Sequence, residues 1–421
     1  MLKKIPAPVR DRGSANCRLD DRPIDQPKVC QVIACVNQNI GGPALSVTSL
    51  ANTLTQYQIE SHLWTLNYTQ HGVQLKPATV QFHSYPATFL ARHFRGFQPI
   101  ANQGLHQLAR ELDLIHNHGV WMFPNLYARQ AAQQHQLPLV ISPRGMLETW
   151  SLNHSQVQKR LAWLLYEREN MRQATLFHAT SPMEVESIRR LGLKQPIALI
   201  PNGVSVPSIE QLPARTILSD QFPELANKRW LLFFSRLHPK KGLDLLLNVW
   251  KTLEAQFSDW QLVIAGPDLS GYQAKLLSLV EALNLHRVTF TGMISGETKA
   301  SALGNADLFV LPSHSENFGI AIAESLSYAV PVIATQGTPW QDLQKYNCGW
   351  WIENTATKLT QTLIEAMQLS DQQRRSMGLN GRTWVTTRHS WDAIAHSMSE
   401  VYRWILNGGD APQCVQVSPF N

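Results

Sequence analysis

Short apolar runs of strand length recur along this chain, parted by loops and helical patterns, and the series starts twice. The first series begins at Val29–Val36 (VCQVIACV). A loop bearing Gly41-Gly42-Pro43 follows, then a helical pattern through Val47, Leu50, Ala51 and Leu54. Further runs stand at 61–66, 114–116, 137–142, 175–178 and 197–200. After Pro201-Asn202-Gly203 the chain crosses a turn-rich stretch, and the runs resume at 230–234, 261–265, 288–291, 308–311 and 330–334. Apolar strands alternating with helices belong to parallel sheets covered on both faces. With 421 residues the chain is also too long for one ordinary core. The expected fold class is α/β, with two Rossmann-like, doubly wound parallel-sheet domains. Side by side, such sheets leave a cleft lined by the carboxyl ends of their strands. The boundary is expected within 202–228, giving a loose leader at 1–27, a first domain at 28–205 and a second at 206–390. Residues 391–421 are read as a long amphipathic helix crossing back to the first domain, with a frayed tail after Gly408-Gly409.

Composition narrows the classes. The longest apolar runs, such as Trp230–Phe234, fall far short of a membrane span. The start, MLKKIPAPVRDRG, lacks the apolar segment of a secretory signal, so a cytoplasmic protein is expected. The five cysteines form no C-x-x-C pair, which suits reduced thiols. Cys30 and Cys35, an odd number of positions apart on one strand, are expected to face opposite sides. Residues 1–205 carry 20 Lys and Arg against 12 Asp and Glu, a charge of +8, whereas the remainder carries −2. A basic first half can attract an anionic membrane surface, or serve solubility alone. Its basic residues are scattered and form no nucleic-acid signature, so nucleic acid is not expected as a partner.

The most informative segment is Leu311–Glu324, LPSHSENFGIAIAE. A strand ends, a Pro-Ser loop follows and a helix opens, with Glu316 just before it and Glu324 about two turns on. Free N–H groups at a helix start receive phosphate or sugar oxygens, and a carboxylate accepts hydrogen bonds from two hydroxyls at once. The same residues also read as a helix-dipole complement and a solvated helix residue. The stretch ADLFVLPSHSENFGIAIAESLSYAVPVIAT closely resembles the signature of retaining glycosyltransferases of family 4, which have the GT-B fold. FFSRLHPKKGLDLLL, LVIAGPD, IPNGV, LIHNHGVW, SPRGML, GWW and RHSWDAIAHSMSEVYRWI continue that resemblance across roughly 28–406.

The resemblance implies that Glu316 accepts hydroxyls of a donor sugar and that Glu324 holds the nucleotide ribose. It implies that Asn317, Phe318, Gly319 and Ile320 present backbone amides, and that Arg236 and Lys241 grip the diphosphate. Gly41 and Gly42, Gly266 and Met293 are expected on the donor as well. His118 is implied at the reaction centre. His116 and His118 could also be read as metal ligands, but no third ligand has a convincing spacing, and enzymes of this fold use cationic side chains and helix dipoles instead. No metal or other cofactor is therefore expected. Arg144, in SPRGML, is read either as an acceptor-binding group or as an exposed residue of a capping turn. Ala329 stands where the family usually has Gly. The segment 156–174, QVQKRLAWLLYERENMRQA, is a basic amphipathic helix, either core-facing with a solvated basic side or resting on an anionic membrane.

The expected partners are thus a UDP-, GDP- or ADP-sugar donor and a glycan or lipid-linked glycan acceptor, with possible peripheral contact to the inner face of the plasma membrane. The implied activity is retaining, metal-independent hexosyl transfer in cell-surface polysaccharide or lipopolysaccharide biosynthesis. A nucleotide-sugar epimerase of the same architecture and a non-catalytic sugar-nucleotide binding subunit are the alternatives.

Overall fold

Each series of apolar runs folds into its own parallel sheet, because strands apolar on both sides need cover on both faces and the intervening helices supply it. The computed structural model describes residues 24–148, 151–152 and 156–417. The chain divides into two units, one running to Gly203 and resuming at Trp391, the other spanning Val204–Ser390. Most of the leader expected at 1–27 lies outside the described residues.

In the first unit the parallel strands are β1 Lys28–Cys35, β2 Glu60–Asn67, β3 Gln81–Pro86, β4 Leu114–His118, β5 Leu139–Ser142, β6 Leu176–Ala179 and β7 Ile197–Leu199. Their order is β3-β2-β1-β4-β5-β6-β7. β3 escapes a search for apolar runs because its sequence, QFHSYP, lies on an edge where residues are exposed or half-buried and none is fully buried. The described part of the tail, to residue 417, corrects the expectation of fraying. Val415–Gln416 pairs antiparallel with β7, Leu199 N–H donates to Cys414 O at 2.8 Å, and Trp404 Nε1–H donates to Gly409 O at 3.2 Å. Backbone pairing at a sheet edge leaves no hydropathy signal. The cysteines also differ from expectation. The pairing of β1 with β2 slips by one residue between Val32 and Cys35, and this bulge turns Cys30 and Cys35 into the same apolar cluster.

The helix Trp391–Asn407 belongs to this unit. It buries Ile394, Met398, Val401 and Tyr402 against Leu50, Leu114 and Ile200. Their spacing forms one apolar stripe, and each such side chain contributes about 1.5–3 kcal/mol on burial.

The second unit contains β8 Arg229–Phe234, β9 Trp260–Ala265, β10 Val288–Gly292, β11 Leu308–Leu311, β12 Val332–Thr335 and β13 Gly349–Ile352, in the order β10-β9-β8-β11-β12-β13. Every pairing is parallel. Trp230, Trp250 and Trp260 are fully buried in its core. In each unit the strand order reverses beside the first strand, between β1 and β4 and between β8 and β11. Open sheets of this kind bind ligands outside the carboxyl ends of the strands at that reversal.

Candidate functional site

In the second unit the loops after β8 and β11 meet at the reversal. Gly242, with φ +71°, lies so close to the β11 loop that a Cβ there would stand 2.1 Å from Pro312 O. His314 N–H donates to Lys240 O at 2.8 Å, tying the loops together. This seam brings the Lys241 ammonium onto Glu316 Oε1, which also accepts from Ser313 Oγ at 2.9 Å. Both charged side chains are 12% exposed. Burial alone would raise the Glu316 carboxyl, but the Lys241 charge and the bonds from Lys241 and Ser313 outweigh it and hold the group below its ordinary value. Glu316 is therefore an anion at neutral pH, an acceptor whose Oε2 has no hydrogen-bond partner among the described residues. It is Lys241, rather than Lys240, that reaches this carboxylate.

Glu324 lies on the helix Ile320–Ser327, which starts at Gly319 with φ +80°. Its Oε1 pairs with Lys299 Nζ at 2.7 Å, so it is a held carboxylate and not a freely solvated one. Phe318 turns into the core, 5.3 Å from the Trp340 ring, and its carbonyl accepts from Trp340 Nε1 at 2.5 Å. Asn317 and Ile320 flank it, part-buried. Arg236 is exposed on the loop after β8. Gly266 follows β9 with φ +138°, and a Cβ there would lie 1.9 Å from Ser235 O. Met293, just past β10, is exposed. Ala329 adopts φ +60°, a left-handed conformation that costs a non-glycine residue about 1 kcal/mol. Lys299 and Ser313 were missed in the sequence, since nothing local distinguishes a lysine 25 positions from its carboxylate.

The first unit carries a buried polar chain whose proton directions follow from its ends. His178 Nε2 meets Ile200 O at 2.8 Å, and a carbonyl can only accept, so Nε2 carries the proton. His178 Nδ1 then accepts from Ser142 Oγ–H at 2.7 Å, and Ser142 Oγ accepts from His116 Nε2–H at 2.8 Å. His116 Nδ1 accepts from the Tyr402 hydroxyl at 2.7 Å, whose oxygen accepts from Gln31 Nε2–H at 3.0 Å. Gln31 Oε1 accepts from His118 Nε2–H at 2.7 Å, leaving His118 Nδ1 to accept from Arg144 Nη2–H at 3.0 Å. The second Arg144 arm donates to Asn202 Oδ1 at 2.6 Å. All three histidines are thus neutral Nε2–H tautomers with both nitrogens engaged. Burial first, then the neighbouring histidine rings and the Arg144 charge, pulls His116 and His118 well down; burial and then the Arg144 charge pull His178 to about 3. Arg144 itself, in the left-handed region at φ +58°, is drawn by burial to about 10. His118 is 2% exposed and its ring serves Gln31 and Arg144. Gly41, at φ +86°, caps the helix Gly42–Leu54 beside the other reversal, between β1 and β4.

Among the described residues no group of three or more His, Cys, Asp or Glu side chains is placed to hold a metal ion. No described helix is long and apolar enough to cross a membrane.

Two family models cover most of the chain. Residues 215–384 match the glycosyl transferases group 1 model, and residues 41–203 match a glycosyl transferase 4-like domain. The chain belongs to the group 1 glycosyl transferases. An uncharacterized glycosyltransferase of Bacillus subtilis, YqgM, is 26% identical over 302 residues, covering 71% of this chain and 79% of that protein. The GDP-mannose:cellobiosyl-diphosphopolyprenol alpha-mannosyltransferase of Komagataeibacter xylinus is 22% identical, covering 90% of this chain and 93% of that protein. The Anabaena protein HepE, solved with UDP and glucose, superposes with a TM-score of 0.69 at 20% identity, over 89% of this chain and 98% of that one. The fold of this glycosyltransferase is therefore GT-B.

Proposed function

We propose that this glycosyltransferase moves a sugar from a nucleoside-diphosphate sugar to a hydroxyl of a carbohydrate or lipid-linked oligosaccharide, with retention of configuration and without a metal ion. The observation that carries the reading is the Lys241–Glu316–Ser313 cluster at the strand-order reversal of the second unit. Glu316 Oε2 accepts hydroxyls of the donor sugar. Glu324 holds the ribose, and the amides of residues 317–320 together with Gly266 and Met293 frame the rest of the donor. Arg236 and Lys241 neutralise the charge that grows on the departing diphosphate, the main electrostatic need of the reaction. Glu316, held by Lys241 and Ser313, is a poor candidate for a covalent nucleophile, so substitution proceeds on the front face and the leaving diphosphate takes the acceptor proton. In the first unit Arg144, oriented by His118, is the acceptor-side cation.

The K. xylinus relative, named for a GDP-mannose donor and a diphosphopolyprenol-linked acceptor, supports a lipid-linked acceptor, and the UDP bound to HepE supports a nucleotide donor. A role in cell-surface polysaccharide assembly follows from that acceptor class.

The test is a proton NMR time course with each of UDP-, GDP- and ADP-sugars, alone and with a glycan panel. Transfer with the anomeric configuration kept, slowed in Arg236→Ala and Lys241→Ala, is expected. Epimerisation of donor alone would assign the chain to an isomerase. Full turnover after loss of both basic residues would overturn the site.

A further inference from the structure

The helix in the 156–172 region runs Gln156–Ala162, passes through a π-helical turn at Trp163–Glu167 and ends at Arg168–Arg172. Its inner side is anchored: Tyr166 donates to Trp121 O at 2.9 Å, and Glu167, Asn170 and Met171 are buried. Its outer side is not merely basic. Leu161, Leu164 and Leu165 are 57%, 75% and 70% exposed, a run of outward leucines on one short helix. A second apolar group adjoins it. Phe89 and Phe94 are 72% and 57% exposed, and Arg95, next to Phe94, reaches across to Gln158 of the helix at 3.0 Å.

Where the helix ends, a cavity of about 440 Å³ opens between it and the loop Leu191–Gln195. Gln195 Nε2 fixes that loop by donating to Met171 O and Arg172 O at 3.0 and 2.9 Å. Arg168, Arg172 and Lys194 line the cavity, and none of the three side chains has a carboxylate partner among the described residues. Unpaired cations gathered in a concavity call for an anion, and leucines beside them call for an apolar phase.

We propose that this face of the first unit docks on an anionic phospholipid bilayer. The leucines and Phe89 and Phe94 enter the headgroup–acyl boundary, while Arg168, Arg172 and Lys194 receive a lipid phosphate. Charge complementarity selects this occupant over a protein partner: the half of the sequence holding the face carries +8, and each basic side chain near an anionic leaflet strengthens attachment. The docking face is separate from the donor residues, so it stands or falls independently of the transfer reaction.

The experiment is co-sedimentation of the full chain with vesicles of phosphatidylcholine, with and without phosphatidylglycerol, over a series of NaCl concentrations. Wild type should pellet with the phosphatidylglycerol vesicles and release as salt rises. The Arg168→Gln/Arg172→Gln/Lys194→Gln variant should bind them on the order of a hundredfold more weakly. The Leu161→Ser/Leu164→Ser/Leu165→Ser variant should lose binding while its donor-induced thermal shift stays that of wild type; if it misfolds, Leu164→Ser alone carries the comparison. Wild type that ignores both vesicles, or binds them equally, overturns the proposal. So does a leucine variant that binds like wild type, or one whose sole defect is loss of self-association by size exclusion, which would assign the face to a second copy of the chain.

Discussion

Replacing Tyr402 with Phe removes one oxygen and keeps the ring. That hydroxyl donates to His116 Nδ1 at 2.7 Å and accepts from Gln31 Nε2–H at 3.0 Å, and the residue is fully buried. Neither orphaned partner can turn to water. Each unsatisfied buried polar atom costs roughly 1–3 kcal/mol, so the pair should cost about 2–6 kcal/mol. Reversing the His116 tautomer offers no escape. Ser142 would then donate to His116, and His178 would have to donate from both nitrogens, a buried imidazolium close to the Arg144 charge. Because a chain of two units need not unfold in one step, the loss is best read locally. Hydrogen exchange at the β4 and β5 amides reports the first unit alone and should accelerate by the factor that this free energy implies. Turnover should fall with donor affinity kept, since the defect reaches His118 and Arg144 through Gln31. Exchange in Tyr402→Phe that matches wild type would refute the assigned proton directions.

The three buried histidines set a pH dependence. As pH falls through about 6.5 an unfolded imidazole takes a proton that the native ring refuses, so stability is full above that pH and is lost below it, at about 1.4 kcal/mol per unit for each histidine. Nitrogen-15 spectra near about pH 5.5 should still find His116, His118 and His178 neutral with Nε2 protonated; an imidazolium signal from any of them contradicts the network. Lys241→Met leaves Glu316 buried with Ser313 as its remaining partner, and should destabilise by roughly 3–5 kcal/mol and raise the carboxyl; an unchanged melting temperature would contradict the burial of the pair. Gly266→Ala places a Cβ 1.9 Å from Ser235 O at φ +138°, so thermal melts should register a loss of at least roughly 1–3 kcal/mol. A wild-type melt would contradict that close approach.

The alternation of apolar runs was enough to reveal both parallel sheets, because strands buried on two faces must be apolar throughout. The edge elements were not legible: β3 has no fully buried residue and no apolar run, and Val415–Gln416 is held by backbone pairing. Of the residues expected on the donor, Glu316 and Lys241 stand 75 positions apart and meet only because β8 and β11 are neighbours at the order reversal. Motif order suggested that meeting, while the seam of Gly242 against Pro312 makes it physical. Least visible was the chain from Arg144 to Ile200. Its members come from β1, β4, β5, β6 and the helix Trp391–Asn407, and Tyr402 lies 286 positions from His116. In the sequence the two histidines of LIHNH could be weighed only as ligands or as a reaction-centre residue. Their engagement on every nitrogen needed the fold. Leu161, Leu164 and Leu165 lie on the helix that read either as core-facing or as resting on a membrane, and only the direction of the helix reveals these three as surface.

The central claim is that the second unit holds a nucleotide-sugar donor through Glu316 and Glu324. Calorimetric titration of UDP-, GDP- and ADP-sugars into wild type and Glu324→Ala tests it most directly. One donor should bind wild type, and its affinity should fall about tenfold to a hundredfold in the variant, the worth of hydrogen bonds to a charged group. Binding of that donor with equal affinity to both proteins, or of none of the three to wild type, would contradict the account.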